Sequence, residues 1–245
     1  MPRYKLTIEY DGTAYSGWQI QENTPTIQGA LQAAFSHFYD QPIEVQCAGR
    51  TDAGVHAKGQ VAHIDAPDAR DTYAIAKGIN AILIPQPIVV KTAELVHDDF
   101  HARFDAKHRH YEYRILNRPS RCALDTDRVW DIFRPLDIGK MHEAAQFLIG
   151  KHDFNSFRSS ECQSQYSVKT LDILEIEKDG ENVFIRCSAQ SFLHNQVRIM
   201  VGTLAYVGVG KLQVSDVERI RDAKDRRAAA VTAPACGLYF MKVEY

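Results

Sequence analysis

The period of the apolar positions changes several times along the chain, and each change marks an element. Tyr4, Leu6, Ile8 and Tyr10 alternate with Lys5, Thr7 and Glu9, the period-two pattern of a strand with one buried face, and Asp11-Gly12 ends it. After a polar loop holding Trp18 and Gln19, Thr26 is placed to cap a helix in which Ile27, Ala30, Leu31, Ala34, Phe35 and Phe38 share one face. Residues 43–47 and 60–64 then read as neighbouring strands. The connection between them, about a dozen residues, exceeds the usual hairpin loop of roughly 2–5 residues. Ala74, Ile75, Ile79 and Ile82 predict a helix over 72–83, and Pro85 and Pro87 separate it from a strand over 88–95. The first half therefore reads β-α-β-β-α-β.

A second round begins at Tyr111, Tyr113 and Ile115, which point to one face of a new strand. Asp137 is placed to cap a helix burying Met141, Ala144, Ala145 and Leu148, with Gly150 as its stop. Residues 171–177 and 183–187 flank an Asp179-Gly180 turn and predict a hairpin. A helix over 191–207 buries Phe192, Val197, Met200, Val201 and Leu204, a short basic helix follows Ser215, and Tyr239, Met241, Val243 and Tyr245 alternate in a final strand. The expected fold is α+β: two ferredoxin-like (βαββαβ) units, residues 1–105 and 106–245, whose antiparallel sheets carry helices on one face and leave the other to form a central cleft. Single-stranded RNA readers with the same order of elements stack bases on sheet aromatics, so the fold leans towards RNA.

Composition narrows the class without choosing a function. With 45% hydrophobic and 24% charged residues and no low-complexity tract, the chain reads as globular throughout. No signal-peptide core follows Met1, and no apolar run approaches the ~20 residues of a membrane span, so a cytoplasmic protein is expected. Five cysteines without a CxxC pair argue against a disulfide framework and a zinc finger. His97, His101, His108 and His110 come without cysteine ligands or an HExxH pattern, so no metal is expected. The net charge of −2 hides local concentration: Arg103, Lys107, Arg109, Arg114, Arg118 and Arg121 face only Asp105 and Glu112 within 101–121. A second basic run is Arg219, Arg221, Lys224, Arg226 and Arg227. A solvated charged face is the usual meaning of one such run and fits two runs beside aromatics less well.

The stretch that carries chemistry is Gly49-Arg50-Thr51-Asp52-Ala53-Gly54-Val55-His56-Ala57. Two glycines permit backbone angles and close approaches that other residues resist, and Arg50, Thr51 and His56 offer donors to the carboxylate of Asp52, which is read as the reactive group. Taken alone, Thr-Asp-Ala-Gly is better explained by a surface turn in which Asp52 bonds its own backbone. The rest of the chain decides between these readings.

Tyr10-Asp11-Gly12-Thr13, Gly17-Trp18-Gln19, the Gly49–Ala57 stretch, Phe100-His101-Ala102-Arg103-Phe104, Arg109-His110-Tyr111, Asp153-Phe154, Phe192 through Arg198, and Gly237-Leu238-Tyr239 together resemble the tRNA pseudouridine synthases of the TruA family. The resemblance spans nearly the whole chain. It implies isomerisation of uridine to pseudouridine at positions 38 to 40 of the tRNA anticodon stem-loop, by a cytoplasmic homodimer without a cofactor. It also implies Asp52 as nucleophile, Tyr111 as the substrate-contacting tyrosine, and Arg50 and Arg198 as basic partners of the carboxylate. Ala57 stands where the family commonly has glycine, and His194-Asn195-Gln196 varies from the pattern. Arg103 and Arg109, in the basic segment, are expected to hold RNA phosphates. The competing readings are a noncatalytic RNA-binding module of the same fold and a glycosidase-like hydrolase using Asp52 with a second acid.

Overall fold

The computed structural model describes all 245 residues, which fall into two compact units: residues 1–107 with 239–245, and residues 108–238. The fold is α+β, with mostly antiparallel strands and five α-helices. No helix is long and apolar enough to cross a membrane.

The first unit opens with β1 (Arg3–Tyr10), where Tyr4, Leu6, Ile8 and Tyr10 are buried as their alternation predicts. Helix α1 (Ile27–Tyr39) starts where the Thr26 hydroxyl accepts the Gly29 N–H at 3.2 Å, satisfying a donor that the first turn otherwise leaves unpaired. Helix α2 (Thr72–Leu83) is capped likewise by Asp71, whose carboxylate accepts the Ala74 N–H at 2.9 Å. The two helices touch at Gly78, where an added Cβ would lie 2.3 Å from the Phe38 ring and force that ring to shift. Between them run β2 (Gln46–Cys47) and β3 (His56–Asp65), and β4 (Ile88–Val96) follows α2.

Strand β3 begins four residues before the predicted position, so the connection from β2 is residues 48–55, shorter than expected. The alternation is lost because β3 is buried on both faces, leaving only Lys58 and Asp65 exposed. It pairs antiparallel with β1 and β2, and β1 pairs antiparallel with β4. On its other side β3 pairs in parallel with β10 (Leu238–Glu244), matching Tyr239 to His56 and Phe240 to Ala57. The final strand, read from sequence as part of the second half, thus belongs to the first unit.

In the second unit β5 (His108–Asn117) pairs antiparallel with β9 (Asn182–Ala189), β9 with β8 (Val168–Asp179), and β8 with β7 (Gly150–Asp153). The expected β8–β9 hairpin turns at Gly180, whose φ of 57° is left-handed. Two short strands were not predicted: β6 (Trp130–Ile132), parallel to β5, and β7. Helix α3 (Ile138–Gln146) is capped by Asp137, whose carboxylate accepts the Lys140 N–H at 3.0 Å. Helix α4 (Gln196–Gly208) begins five residues later than predicted, because Asn195 is left-handed at φ 62°. The expected short helix is α5 (Asp216–Ala223).

Candidate active site

In the first unit the Asp52 loop is held from several sides by residues of the opening motifs. The Thr51 hydroxyl and Tyr10 phenol share a buried hydrogen bond of 2.8 Å, and burial raises the pKa of that phenol, with Thr51 and Gln60 opposing the shift. The Gln60 amide donates to the Gly49 carbonyl at 2.7 Å, and the Trp18 N–H donates to the Thr51 carbonyl at 3.0 Å. Within the loop the Val55 N–H donates to the Asp52 carbonyl at 3.2 Å, while Gly54 is left-handed at φ 76° and donates to the Tyr15 carbonyl at 3.3 Å.

Two glycines explain why the opening motifs lie so near. Gly17, at φ 91°, lies flat on the loop backbone, where a Cβ would come within 2.7 Å of the Thr51 carbonyl oxygen. At Gly12 a Cβ would lie only 2.0 Å from the Val55 carbonyl oxygen. The Gly12 N–H donates to Nδ1 of the buried His56 at 3.1 Å, and the His56 ring stacks on Tyr239 at 4.8 Å. The Thr51 hydroxyl and His56 Nδ1 thus help hold the loop's shape through Tyr10 and Gly12, and the Asp11 carboxylate also lies 3.1 Å from His56 Nδ1. The result is a braced turn with Asp52 half-buried, Ala53 and Arg50 exposed, and Thr51 and Val55 inside.

Arg103 also belongs to this unit. Its loop is fixed by buried His63, whose Nδ1 accepts the Ala102 N–H at 3.2 Å, and by His101, whose Nδ1 accepts the Arg103 N–H at 3.1 Å. Burial first, then the nearby Arg3 cation, lowers the His63 pKa to about 4, which keeps Nδ1 an acceptor. Arg103 is exposed and its guanidinium lies 5.8 Å from the ring of Phe104, itself 74% exposed. Arg50 and Arg103 face the same group: burial pushes the Cys47 thiol up to about 12, and both cations pull it the other way. The two arginines thus gather near the end of β2.

The remaining sequence-predicted residues lie in the second unit. Tyr111 sits mid-strand in β5 opposite Cys187, buried, its ring meeting Phe192 edge-on at 5.2 Å. Arg198, in the first turn of α4, donates from Nε to the Ala233 carbonyl and from Nη1 to the Asn195 side chain, both at 2.8 Å. Asn195 and Gln196, whose roles the sequence left open, therefore have structural tasks: Asn195 orients Arg198, and the Gln196 side chain accepts the Leu193 N–H at 2.8 Å. Arg109 is only 8% exposed, and its guanidinium donates to the Gln190 carbonyl, which ties the start of β5 to the segment after β9.

Arg114 and Arg118 are likewise engaged inside the unit, at 2.9 Å from Glu112 and Glu181. Tyr10, Gly12, Gly17, Gln60 and Phe192 were missed as functional supports. Tyr10, Gly12, Gly17 and Phe192 stand inside the quoted motifs, and that placement was the available signal.

The profile of the tRNA pseudouridine synthase family matches residues 6–105 and 144–245, which hold Asp52, Arg103 and Arg198. A protein of Rhodopseudomonas palustris (strain BisA53) called tRNA pseudouridine synthase A is 54% identical over 245 residues, covering 100% of both chains. The similarly named protein of Xanthobacter autotrophicus is 52% identical with the same coverage, and that of Allorhizobium ampelinum is 51% identical over all of this chain and 95% of its own. The family resemblance seen in the motifs thus extends over the full length, and the chain belongs to the TruA family of tRNA pseudouridine synthases.

Proposed function

We propose that this protein isomerises uridine to pseudouridine in the anticodon stem-loop of tRNA, at positions 38 to 40, with Asp52 as nucleophile and no cofactor. The single observation carrying the assignment of Asp52 is the bracing of its loop by Tyr10, Gly12, Gly17, Trp18 and Gln60, which fixes the backbone that carries a half-exposed Asp52. An ordinary surface turn has no need of this support, whereas a reacting carboxylate gains from preorganisation.

The reaction breaks N1–C1′, turns the uracil and joins C5 to C1′, so the detached base must be kept while water is excluded from the sugar. An ionised Asp52 starts it by adding to uracil C6, by attacking C1′, or by taking a ribose proton. Arg198, oriented by Asn195 and Ala233, is the proposed counter-charge, and Arg50 is the proposed contact to phosphate. Tyr111 stacks on the uracil and its phenol assists loss of the C5 proton. A paired base hides its reactive atoms, so the target is flipped out, and aromatic stacking worth ~1–3 kcal/mol offsets the unstacking. The proposal includes two ferredoxin-like units presenting an RNA-binding cleft, a homodimer and a cytoplasmic location; family membership is its support.

Tritium release from C5-labelled uridine in tRNA separates the readings. An isomerase releases tritium and leaves chain and base intact, a hydrolase liberates free uracil, and a binding module does neither. Asp52→Asn is expected to abolish release and keep tRNA binding. Turnover by that variant at the wild-type rate removes Asp52 from the mechanism.

A further inference from the structure

Three residues of the second basic run, Lys224, Arg226 and Arg227, which the sequence left as charge without a task, line a concavity. Between the short 3₁₀ turn Asn155–Phe157 and the segment after α5 lies an open groove of about 370 Å³, walled by Arg158, Ser159, Ser160, Lys224, Arg226 and Arg227. Its floor is rigid. The buried Ser156 hydroxyl donates to the Ile220 carbonyl at 2.6 Å and accepts the Asp225 N–H at 3.0 Å, while the Asn155 amide donates to the Lys224 carbonyl. The Arg226 guanidinium is fixed by the Ala229 and Ala230 carbonyls at 3.3 and 3.0 Å and by the Thr232 hydroxyl at 3.1 Å.

Four cations surround the groove against Asp225, which lies 2.7 Å from Arg227, and Asp153, 4.0 Å from Lys224. A concave surface with excess positive charge and serine donors selects an anion, and the volume, near the lower end for ligand sites, suits a phosphate with its adjoining ribose. A flat solvated face would not be tied to the motif carrying Arg198, yet this groove is tied to it twice. The Ser159 N–H donates to the His194 carbonyl at 3.0 Å, next to the Asn195 that holds Arg198. On the other wall, Thr232 holds Arg226, and its neighbour Ala233 accepts from Arg198.

We propose that this groove binds a backbone phosphodiester of the RNA substrate, near the nucleotide that Arg198 serves. The inference rests on the RNA-modifying reading given above. Arg158 and Arg227 contact the non-bridging oxygens, Ser160 donates from its hydroxyl, and Arg226 supplies fixed positive charge.

The test uses the full chain carrying R158Q and R227Q. Arg227 is largely exposed, so loss of its pair with Asp225 costs little stability, and an unchanged thermal melt verifies the fold. Dissociation constants for unmodified tRNA are measured from about 50 to 200 mM salt beside a second double variant, K140Q and K178Q, which removes two exposed lysines of the same unit outside the groove. The groove variant is expected to bind about tenfold more weakly, with its salt slope reduced by about 1, while the lysine variant stays near wild type.

Equal affinity and slope in wild type and groove variant overturn the inference, as does an equal loss in the lysine variant. Calorimetric titration with inorganic phosphate distinguishes a small-anion site: phosphate bound by wild type and lost in the groove variant, with tRNA affinity unchanged, also overturns it. A wild type that makes pseudouridine while the groove variant binds normally sinks this inference alone. A wild type that binds tRNA through the groove without isomerising it sinks the catalytic reading alone, and one that does neither removes both.

Discussion

Gly12→Ala probes the bracing of the Asp52 loop directly. The added methyl would lie 2.0 Å from the Val55 carbonyl oxygen, whereas real contacts of this kind are essentially never under 3.0 Å, so one backbone must retreat by about 1 Å. Gly12 does not occupy the left-handed region, and the conflict is therefore one of space alone. Retreat strains both the 3.1 Å bond from the Gly12 N–H to His56 and the 3.2 Å bond from the Val55 N–H to the Asp52 carbonyl. Overpacking of this kind costs about 1–3 kcal/mol of stability, and a 1 Å displacement of a reacting group costs about 10²-fold in rate.

The expected result is a kcat for tritium release about 100-fold lower, with tRNA affinity retained and a urea midpoint shifted down. Gly180→Ala is the control: nothing lies within 4 Å of its Cβ, so it loses only about 1 kcal/mol from a φ of 57° and keeps wild-type kcat. A Gly12→Ala enzyme with wild-type kcat, whether or not its stability falls, would refute the claim that this contact positions Asp52.

Tyr111→Phe should fold and bind tRNA while releasing tritium about 10²–10⁴-fold more slowly, and normal turnover would remove its phenol from the chemistry. Arg109→Gln and Arg103→Gln should separate structure from RNA contact: the first lowers the urea midpoint with little change in salt slope, and the second lowers the slope by about 1 without loss of stability. The reverse pattern would exchange their roles. For His63 the folded pKa of about 4 lies below the unfolded value near 6.5, so the unfolded chain binds the extra proton between them. Its contribution is complete above about pH 6.5 and is lost as the pH falls towards 4. Denaturant titrations across that window should show His63→Gln with a flatter decline, and parallel curves would contradict the assignment.

Local pattern determined much of the fold. The alternation of β1, the capped α1 and α2, and the β8–β9 hairpin all rest on periodicity or on a cap within three residues, and each appears where that pattern places it. The motifs likewise marked Asp52, Tyr111 and Arg198. Strands β6 and β7 escaped because three or four residues cannot display a period, and β3 lost its alternation to burial on both faces. The start of α4 escaped for a different reason: Phe192 and Leu193 continue its apolar pattern, while the backbone turns left-handed at Asn195.

What the sequence by itself determined is the order of most elements, and it marked the candidate reactive residues, because both are written in neighbouring side chains. Only the tertiary structure decided that β10 pairs with β3, that Gly12 and Gly17 press against the Asp52 loop, that Arg109 meets the Gln190 carbonyl, and that Lys224, Arg226 and Arg227 wall a groove with Arg158. Each joins segments tens of residues or more apart, and which backbone donor meets which acceptor across such a span is fixed by the packing of the whole unit rather than by either segment alone.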